Sequence, residues 1–255
     1  MTSETATPPV MILCGGKGTR LRERTEAIPK ALVEIGGKPI VWHVMKIYAS
    51  VGFRRFVLCL GYKGELIREY FSAAPGARPA GPDSIAYDAE GETWTVLFAD
   101  TGLETNTGGR IKRAATRVSD ARLLVTYGDG VASVDVRELV AFHADRARLA
   151  TVTCVRPRCP FGIVDVDDDD RILAFREKPQ MTDWVNGGFF VFERRVLDYL
   201  GDDDVLEREP LERLAKEGQL SAYRFDGFWM CMDTYKDMQQ LNELWASGER
   251  PWKLW

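Results

Sequence analysis

The residues best suited to chemistry in this chain are cations and carboxylates set beside glycines. Leu13-Cys14-Gly15-Gly16-Lys17-Gly18-Thr19-Arg20-Leu21 follows directly on a short apolar run. Glycines at such a turn let backbone N–H groups approach anionic oxygens, and Lys17 and Arg20 add positive charge. The pattern is neither of two well-known phosphate loops. Gly16-x-Gly18 is present, but Leu21 stands where a dinucleotide fingerprint needs its third glycine. Gly37-Lys38 is followed by Pro39, and Leu32 occupies the first glycine position of a P-loop. A tight strand-to-loop turn is the alternative reading.

Four further places carry charge at informative positions. Lys30 follows Pro29, so its backbone is restrained; it is either a fixed ammonium near a phosphate or a solvated surface lysine. Asp129, in Tyr127-Gly128-Asp129-Gly130, lies just past an apolar run, where open α/β sheets bind ligands. It suits Mg²⁺, a hard ion that takes oxygen ligands, or simply a β-turn. Asp233 precedes a helical stretch, as an N-cap or as a second carboxylate for the same metal; spacing alone does not bring it to Asp129. Glu177-Lys178 and Asn186-Gly187-Gly188 offer hydrogen bonds to sugar hydroxyls and a cation for phosphate, or a charged hairpin end. Asp167 to Asp170 lack the ligand spacing, glycine and distal Glu of a calcium loop and read as a solvated turn.

Other chemistries are poorly served. The only histidines are His43 and His143, which argues against a His-rich zinc site. The five cysteines form no Cys-x-x-Cys pair and read as reduced thiols in a cytosol. A formal net charge of −4 argues against a generic nucleic-acid or anionic-membrane binder. No apolar stretch approaches the roughly 20 residues that span a bilayer. Residues 1–9 are polar, lack a signal-peptide core and read as a flexible tail.

The elements that must position these groups alternate. Buried strands are expected at Val10–Cys14, Arg55–Leu60, Thr93–Ala99, Leu123–Tyr127, Thr151–Val155 and Phe189–Phe192. Helices are expected at Ile40–Val51, Glu65–Phe71, Gly109–Val118, Val136–Ala147, Leu206–Glu217 and Thr234–Trp245. Ile163–Val166 and Ile172–Arg176, joined by an acidic turn, predict a β-hairpin, and Ala73–Asp83 reads as a surface loop. The alternation predicts one α/β domain, a mostly parallel sheet flanked by helices, with a later β-hairpin lobe.

In order, these motifs resemble those of the sugar-1-phosphate nucleotidyltransferases, and more narrowly the glucose-1-phosphate cytidylyltransferases. The broader signs are Gly15-Gly16-x-Gly18-Thr19-Arg20-Leu21, Pro29-Lys30 and Gly128-Asp129. The narrower ones include Gly36-Gly37-Lys38-Pro39-Ile40-Val41-Trp42-His43, Gly61-Tyr62-Lys63-Gly64, Thr107-Gly108-Gly109-Arg110, Glu209-Pro210-Leu211, Gly227-Phe228-Trp229 and Pro251-Trp252-Lys253-x-Trp255. The likeness runs from about Met11 to Trp255. Ala31 and Met230 depart from it, standing where Pro and Gln are common.

The resemblance implies a single domain over residues 10–255 with a Rossmann-like mixed sheet. It implies Mg²⁺-dependent transfer of a cytidylyl group from CTP to α-D-glucose 1-phosphate, giving CDP-glucose and pyrophosphate. By that likeness Leu13, Cys14, Gly15, Gly16, Lys17, Gly18, Thr19, Thr105, Arg110 and Gly128 hold the nucleotide. Arg20 meets the triphosphate and Lys30 the reacting phosphate. Asp129 and Asp233 hold Mg²⁺, Glu177 and Lys178 take the sugar phosphate, and Asn186 and Gly187 line the sugar pocket. A cytoplasmic homo-oligomer with no nucleic-acid or membrane partner is expected. The alternatives are another sugar 1-phosphate, UTP or dTTP as donor, or a non-catalytic nucleotide-binding regulator.

Overall fold

Apolar runs bounded by glycine become strands, and amphipathic stretches become the helices that cover them. The computed structural model describes residues 7–18, 21 and 27–255. β1 (Val10–Leu13) is followed, past a 3-10 turn at Lys30–Leu32, by the short ladder of β2 (Glu34–Ile35) and β3 (Lys38–Pro39), then by α1 (Ile40–Ser50). β4 (Arg55–Leu60) and α2 (Gly64–Ser72) lead into β5 (Arg78–Gly81), β6 (Ser84–Ala89) and β7 (Glu92–Asp100). Next come α3 (Thr107–Ala115), β8 (Arg122–Tyr127), β9 (Gly130–Ala132), α4 (Val136–Arg146) and β10 (Ala150–Val155). The lobe hairpin is β11 (Ile163–Val166) with β12 (Ile172–Arg176). β13 (Val185–Glu193), α5 (Glu209–Lys216), β14 (Leu220–Arg224), β15 (Trp229–Cys231) and α6 (Tyr235–Ser247) follow.

One nine-stranded sheet runs in the order β14-β10-β13-β8-β1-β4-β7-β6-β5. The central strands β8, β1, β4 and β7 are parallel neighbours, and only β13 and β6 run against the rest. Side chains alternate across the strands, so Val10 and Ile12 enter one apolar layer and Met11 the other. The sheet is therefore mixed and mostly parallel, with helices on both faces. Among the described residues no helix is long and apolar enough to cross a membrane.

Several segments differ from the sequence reading, among them β6 and β14 of the main sheet, where no strand is expected. Ala73–Asp83 is not all loop: it contains β5, an edge strand whose four residues are exposed. Pro79 lacks a ladder N–H and is tolerated at a sheet edge, which is why composition alone reads as a loop. The helix expected from Leu206 begins at Glu209, with Pro210 in its first turn, where a missing N–H costs nothing.

The first helix is more deeply buried than an amphipathic pattern requires. Every residue of α1 from Ile40 to Ala49 is buried, His43 and Lys46 included. The second face is covered from the far end of the chain: His43 packs edge-on against Trp245 and Trp252, and Trp42 against Trp255. The Asn242 side chain of α6 accepts from the Gly36 N–H at 3.0 Å and donates to the Glu34 carbonyl at 3.2 Å. A side chain at Gly36, where φ is +59°, would overlap the Trp245 ring. This packing fixes the segment that leaves the Lys30 turn.

Candidate active site

The central strands end together, and the charged groups gather at that edge. β8 runs parallel to β1, and its end turns tightly over it: the Gly128 N–H donates to the Leu13 carbonyl at 3.1 Å. A Cβ at Gly128 would stand 3.0 Å from that carbonyl and 3.2 Å from Cys14 Sγ, so the close approach needs glycine. Asp129 is thereby set beside the Cys14–Gly18 turn.

A short ladder then solves what spacing could not. β9 pairs antiparallel with β15, Val131 opposite Met230 and Gly130 opposite Cys231, and the Met232 N–H donates to the Asp129 carbonyl at 2.9 Å. This register delivers Asp233 to Asp129. Asp233 is not the helix N-cap. That role belongs to Thr234, which closes a capping box with Asp237 at the start of α6. Asp233 itself lines the cleft.

Lys30 completes the cluster. Its Nζ lies 2.6 Å from Asp129 Oδ2 and 2.7 Å from Asp233 Oδ1. Burial opposes the ammonium charge, but the Asp129 charge and the hydrogen bonds to both carboxylates outweigh it, and the Lys30 pKa is raised. The surface-lysine reading fails, because only 14% of the side chain is exposed. The cluster opens on a cleft of about 220 Å³ lined by Leu13, Cys14, Gly16, Gly18, Lys30, Ala31, Gly128, Asp129 and Asp233. Neither histidine lines it. The Cys14 thiol is pushed well up by burial, then by Cys59 and Asp129, so it offers no thiolate nucleophile. The cleft brings together fixed charge and backbone, which suits anionic groups that need orientation and charge compensation.

The chain matches the family described as nucleotidyl transferase over residues 9–246. This chain belongs to the nucleotidyl transferase family. It is 43% identical over 256 residues to a probable glucose-1-phosphate cytidylyltransferase of Bacillus subtilis, covering 96% of this chain and 99% of that relative. It is 42% identical over 254 residues to the glucose-1-phosphate cytidylyltransferase of Salmonella typhi, covering 96% and 98%. Among solved structures, HddC from Yersinia pseudotuberculosis superposes with a TM-score of 0.71 at 24% identity, over 93% of this chain and 99% of that one. At that identity the likeness is one of fold.

In this nucleotidyl transferase Arg110, expected to touch the nucleotide, is not among the residues that line the cleft. It is buried beneath the glycine-rich turn. Nη1 donates to the Leu60 and Gly102 carbonyls and to Thr101 Oγ1, at 3.1, 2.7 and 2.8 Å. Nη2 donates to the carbonyls of Gly15 and Leu103, both at 3.1 Å. Side chains at Gly15 or Gly61 would overlap the guanidinium, so those glycines make room for it. Arg110 is a positioning residue that ties the ends of β1, β4 and β7. Thr105, also buried, accepts from Arg113 at 2.7 Å and does not line the cleft.

The remaining expected residues sit around the rim. Lys17 is exposed and paired with Glu104 at 2.7 Å. Thr19 and Arg20 lie outside the described residues. Glu177 and Lys178 follow β12, are largely exposed, pair at 3.1 Å and do not line the cleft. Asn186 donates to Tyr127 Oη at 3.0 Å, and the Gly187 carbonyl accepts from Trp229 Nε1 at 2.7 Å. They frame the site from β13 without lining it. Tyr127 also donates to Glu207, which accepts from Thr107 at 2.7 Å. The sequence reading missed Glu207, because a lone exposed carboxylate before a helix carries no signal. Tyr127 was visible only as a neighbour of Gly128. Within the hairpin, Asp167 Oδ1 accepts from the N–H groups of Asp169 and Arg171 at 3.1 and 2.9 Å, so it builds the turn.

Proposed function

We propose that the chain transfers a cytidylyl group from CTP to α-D-glucose 1-phosphate, releasing CDP-glucose and pyrophosphate. The observation that carries this reading is Lys30 held between Asp129 and Asp233 at the sheet edge, beside the glycine-rich turn. The choice of CTP and glucose 1-phosphate is supported by the names of the relatives that match nearly end to end. A phosphate oxygen of the sugar attacks the α-phosphorus; a new P–O bond forms and the bond to the β-phosphate bridge breaks. The nucleophile is already an anion at neutral pH, so no histidine or thiolate base is needed. The barrier is repulsion between two polyanions, which Lys30 offsets at the reacting phosphate. Gly16 and Gly18 line the cleft on the side where the triphosphate would lie, and orientation can contribute roughly 7–11 kcal/mol.

Asp129 and Asp233 fit Mg²⁺. Their oxygens converge on one cationic atom, and this ion commonly takes one or two carboxylates together with substrate phosphates. Among the described residues no group of three or more His, Cys, Asp and Glu could hold a metal ion. Bound there, Mg²⁺ supplies charge neutralisation for the phosphates. In this reading Glu177 and Lys178 receive the sugar phosphate, and Asn186 and Gly187 line the sugar pocket.

The reading extends to self-association. Phe161, Ile172, Leu173 and Phe175 of the hairpin region are 72, 59, 63 and 64% exposed, an apolar patch of the kind that packs against a second copy.

Pyrophosphate release from a panel of nucleoside triphosphates against several sugar 1-phosphates tests the activity. CTP with glucose 1-phosphate is expected to be fastest. Release only with another pair would reassign the substrates, and no release with any pair would favour a binding regulator.

A further inference from the structure

The two carboxylates of the cleft are bridged by the same side chain assigned above to the reacting phosphate. Lys30 Nζ stands 2.6 Å from Asp129 Oδ2 and 2.7 Å from Asp233 Oδ1, so two of its three N–H donors are spent. Mg²⁺ binds carboxylate oxygens at about 2.0–2.1 Å. An ion using both of these oxygens would occupy the space that the ammonium fills. Contact and like charge both forbid the two from sharing it.

We propose that Lys30 is a placeholder for the divalent cation: it bridges Asp129 and Asp233 in the ligand-free chain and leaves them when a divalent cation arrives. Its ammonium then moves into the cleft toward the phosphates. The inference rests on the reading of Asp129 and Asp233 as metal ligands and adds what Lys30 does there.

Three features support it. The backbone of Lys30 is fixed while its side chain is long. Pro29 sits at φ −65° and ψ 148°. The turn is closed by Leu32 N–H to the Pro29 carbonyl at 2.8 Å and Val33 N–H to the Lys30 carbonyl at 3.1 Å. A four-carbon stem can therefore swing without moving the chain. The space to receive it exists, because the cleft that Lys30 lines extends to Gly16 and Gly18.

The third feature is charge. A divalent cation in place of the monovalent ammonium raises the positive charge beside the carboxylates, and the displaced lysine keeps its own charge within the cleft. The exchange makes the cleft more favourable to polyanions than it was before. Lys17, paired with Glu104 at the rim, is kept from phosphate in a similar way. Metal and nucleotide would therefore bind with positive coupling through Lys30. The rival arrangement is that Lys30 keeps both carboxylates and offers its third proton to phosphate.

The test uses Mn²⁺ alone, followed by electron paramagnetic resonance on the full chain without nucleotide. Lys30→Met and Lys30→Gln are expected to bind Mn²⁺ at least about tenfold more tightly than the unaltered protein, within the usual range of site coupling. Lys17→Met, which removes a cleft-rim charge but no bridge, is expected within about threefold. Acylation of Lys30, followed by peptide mapping, is expected to rise several-fold at saturating Mg²⁺. Equal Mn²⁺ affinity in both Lys30 variants and the unaltered protein would overturn the proposal. So would equal tightening by Lys17→Met, an unchanged Lys30 labelling rate, or no Mn²⁺ binding by any of them. Circular dichroism checks that the variants fold. Pyrophosphate release is a separate measurement, so failure of the placeholder leaves the transfer reading standing or falling on its own.

Discussion

Replacing Arg110 with Met separates a structural brace from a nucleotide contact. The guanidinium reaches five acceptors in the core of the sheet edge. Hydrogen bonds to a charged group contribute about 1.5–3 kcal/mol each when taken singly. They do not add here, because several acceptors keep other partners. The Leu60 carbonyl still receives Thr101 N–H at 3.0 Å, and Gly15 still receives Tyr62 N–H at 3.1 Å. The Gly102 and Leu103 carbonyls are partly exposed and can turn to water. Met fills much of the vacated volume. The expected loss is therefore about 2–4 kcal/mol, not the sum of five bonds. For a chain of this size that lowers Tm by roughly 5–15 °C. Urea unfolding followed by circular dichroism measures it, beside KM for the nucleotide. Unchanged stability with a strongly raised nucleotide KM would refute the brace and restore the nucleotide contact.

Other outcomes follow from the same geometry. Asp129→Asn and Lys30→Ala are each expected to cut turnover about 100-fold or more while circular dichroism stays native; near-normal turnover would remove the cluster from the mechanism. Leu173→Asp with Phe175→Asp is expected to lower the mass seen by light scattering without unfolding the domain; an unchanged mass would place any assembly elsewhere. Burial holds the His43 pKa down to about 4, against 6.5 in the unfolded chain. Its Nε2 contacts the Ile35 carbonyl at 2.8 Å and its Nδ1 faces Trp252 Nε1 at 3.4 Å, so the neutral ring with the proton on Nε2 fits. The unfolded state binds the extra proton first. His43 therefore costs nothing above about pH 6.5, and stability falls from there to about pH 4, by about 3 kcal/mol in all. Urea midpoints across that window should fall less steeply in His43→Gln; parallel curves would exclude His43 as the cause.

Much of the scaffold was legible because burial writes itself into local pattern. Val10–Leu13 and Arg55–Leu60 are short apolar runs, and both hairpin strands, Ile163–Val166 and Ile172–Arg176, fall where alternation around an acidic turn puts them. β5 was not legible, since an exposed edge strand with proline has loop composition. Asp129 and Asp233 were each visible as candidates, but their meeting depends on three-residue strands roughly a hundred residues apart, whose pairing has no local signature. Arg110 shows the reverse case. Its motif is plain in the sequence, yet whether it points at solvent or into the sheet is decided by the space at Gly15 and Gly61.

The pairing of Lys30 with Asp233, 203 positions apart, also sets a clock on the protein's birth. The ribosome makes one partner and then the other after an interval of roughly 10–40 s at ordinary elongation rates. Through that interval β9 has no β15 beside it and α1 lacks the tryptophans that close over its far side. A nascent chain can therefore begin to assemble the parallel strands early, yet Lys30 lacks its Asp233 partner until the segment carrying β15 and α6 docks. On the reading proposed above, a chain cut short before residue 233 is expected to release no pyrophosphate.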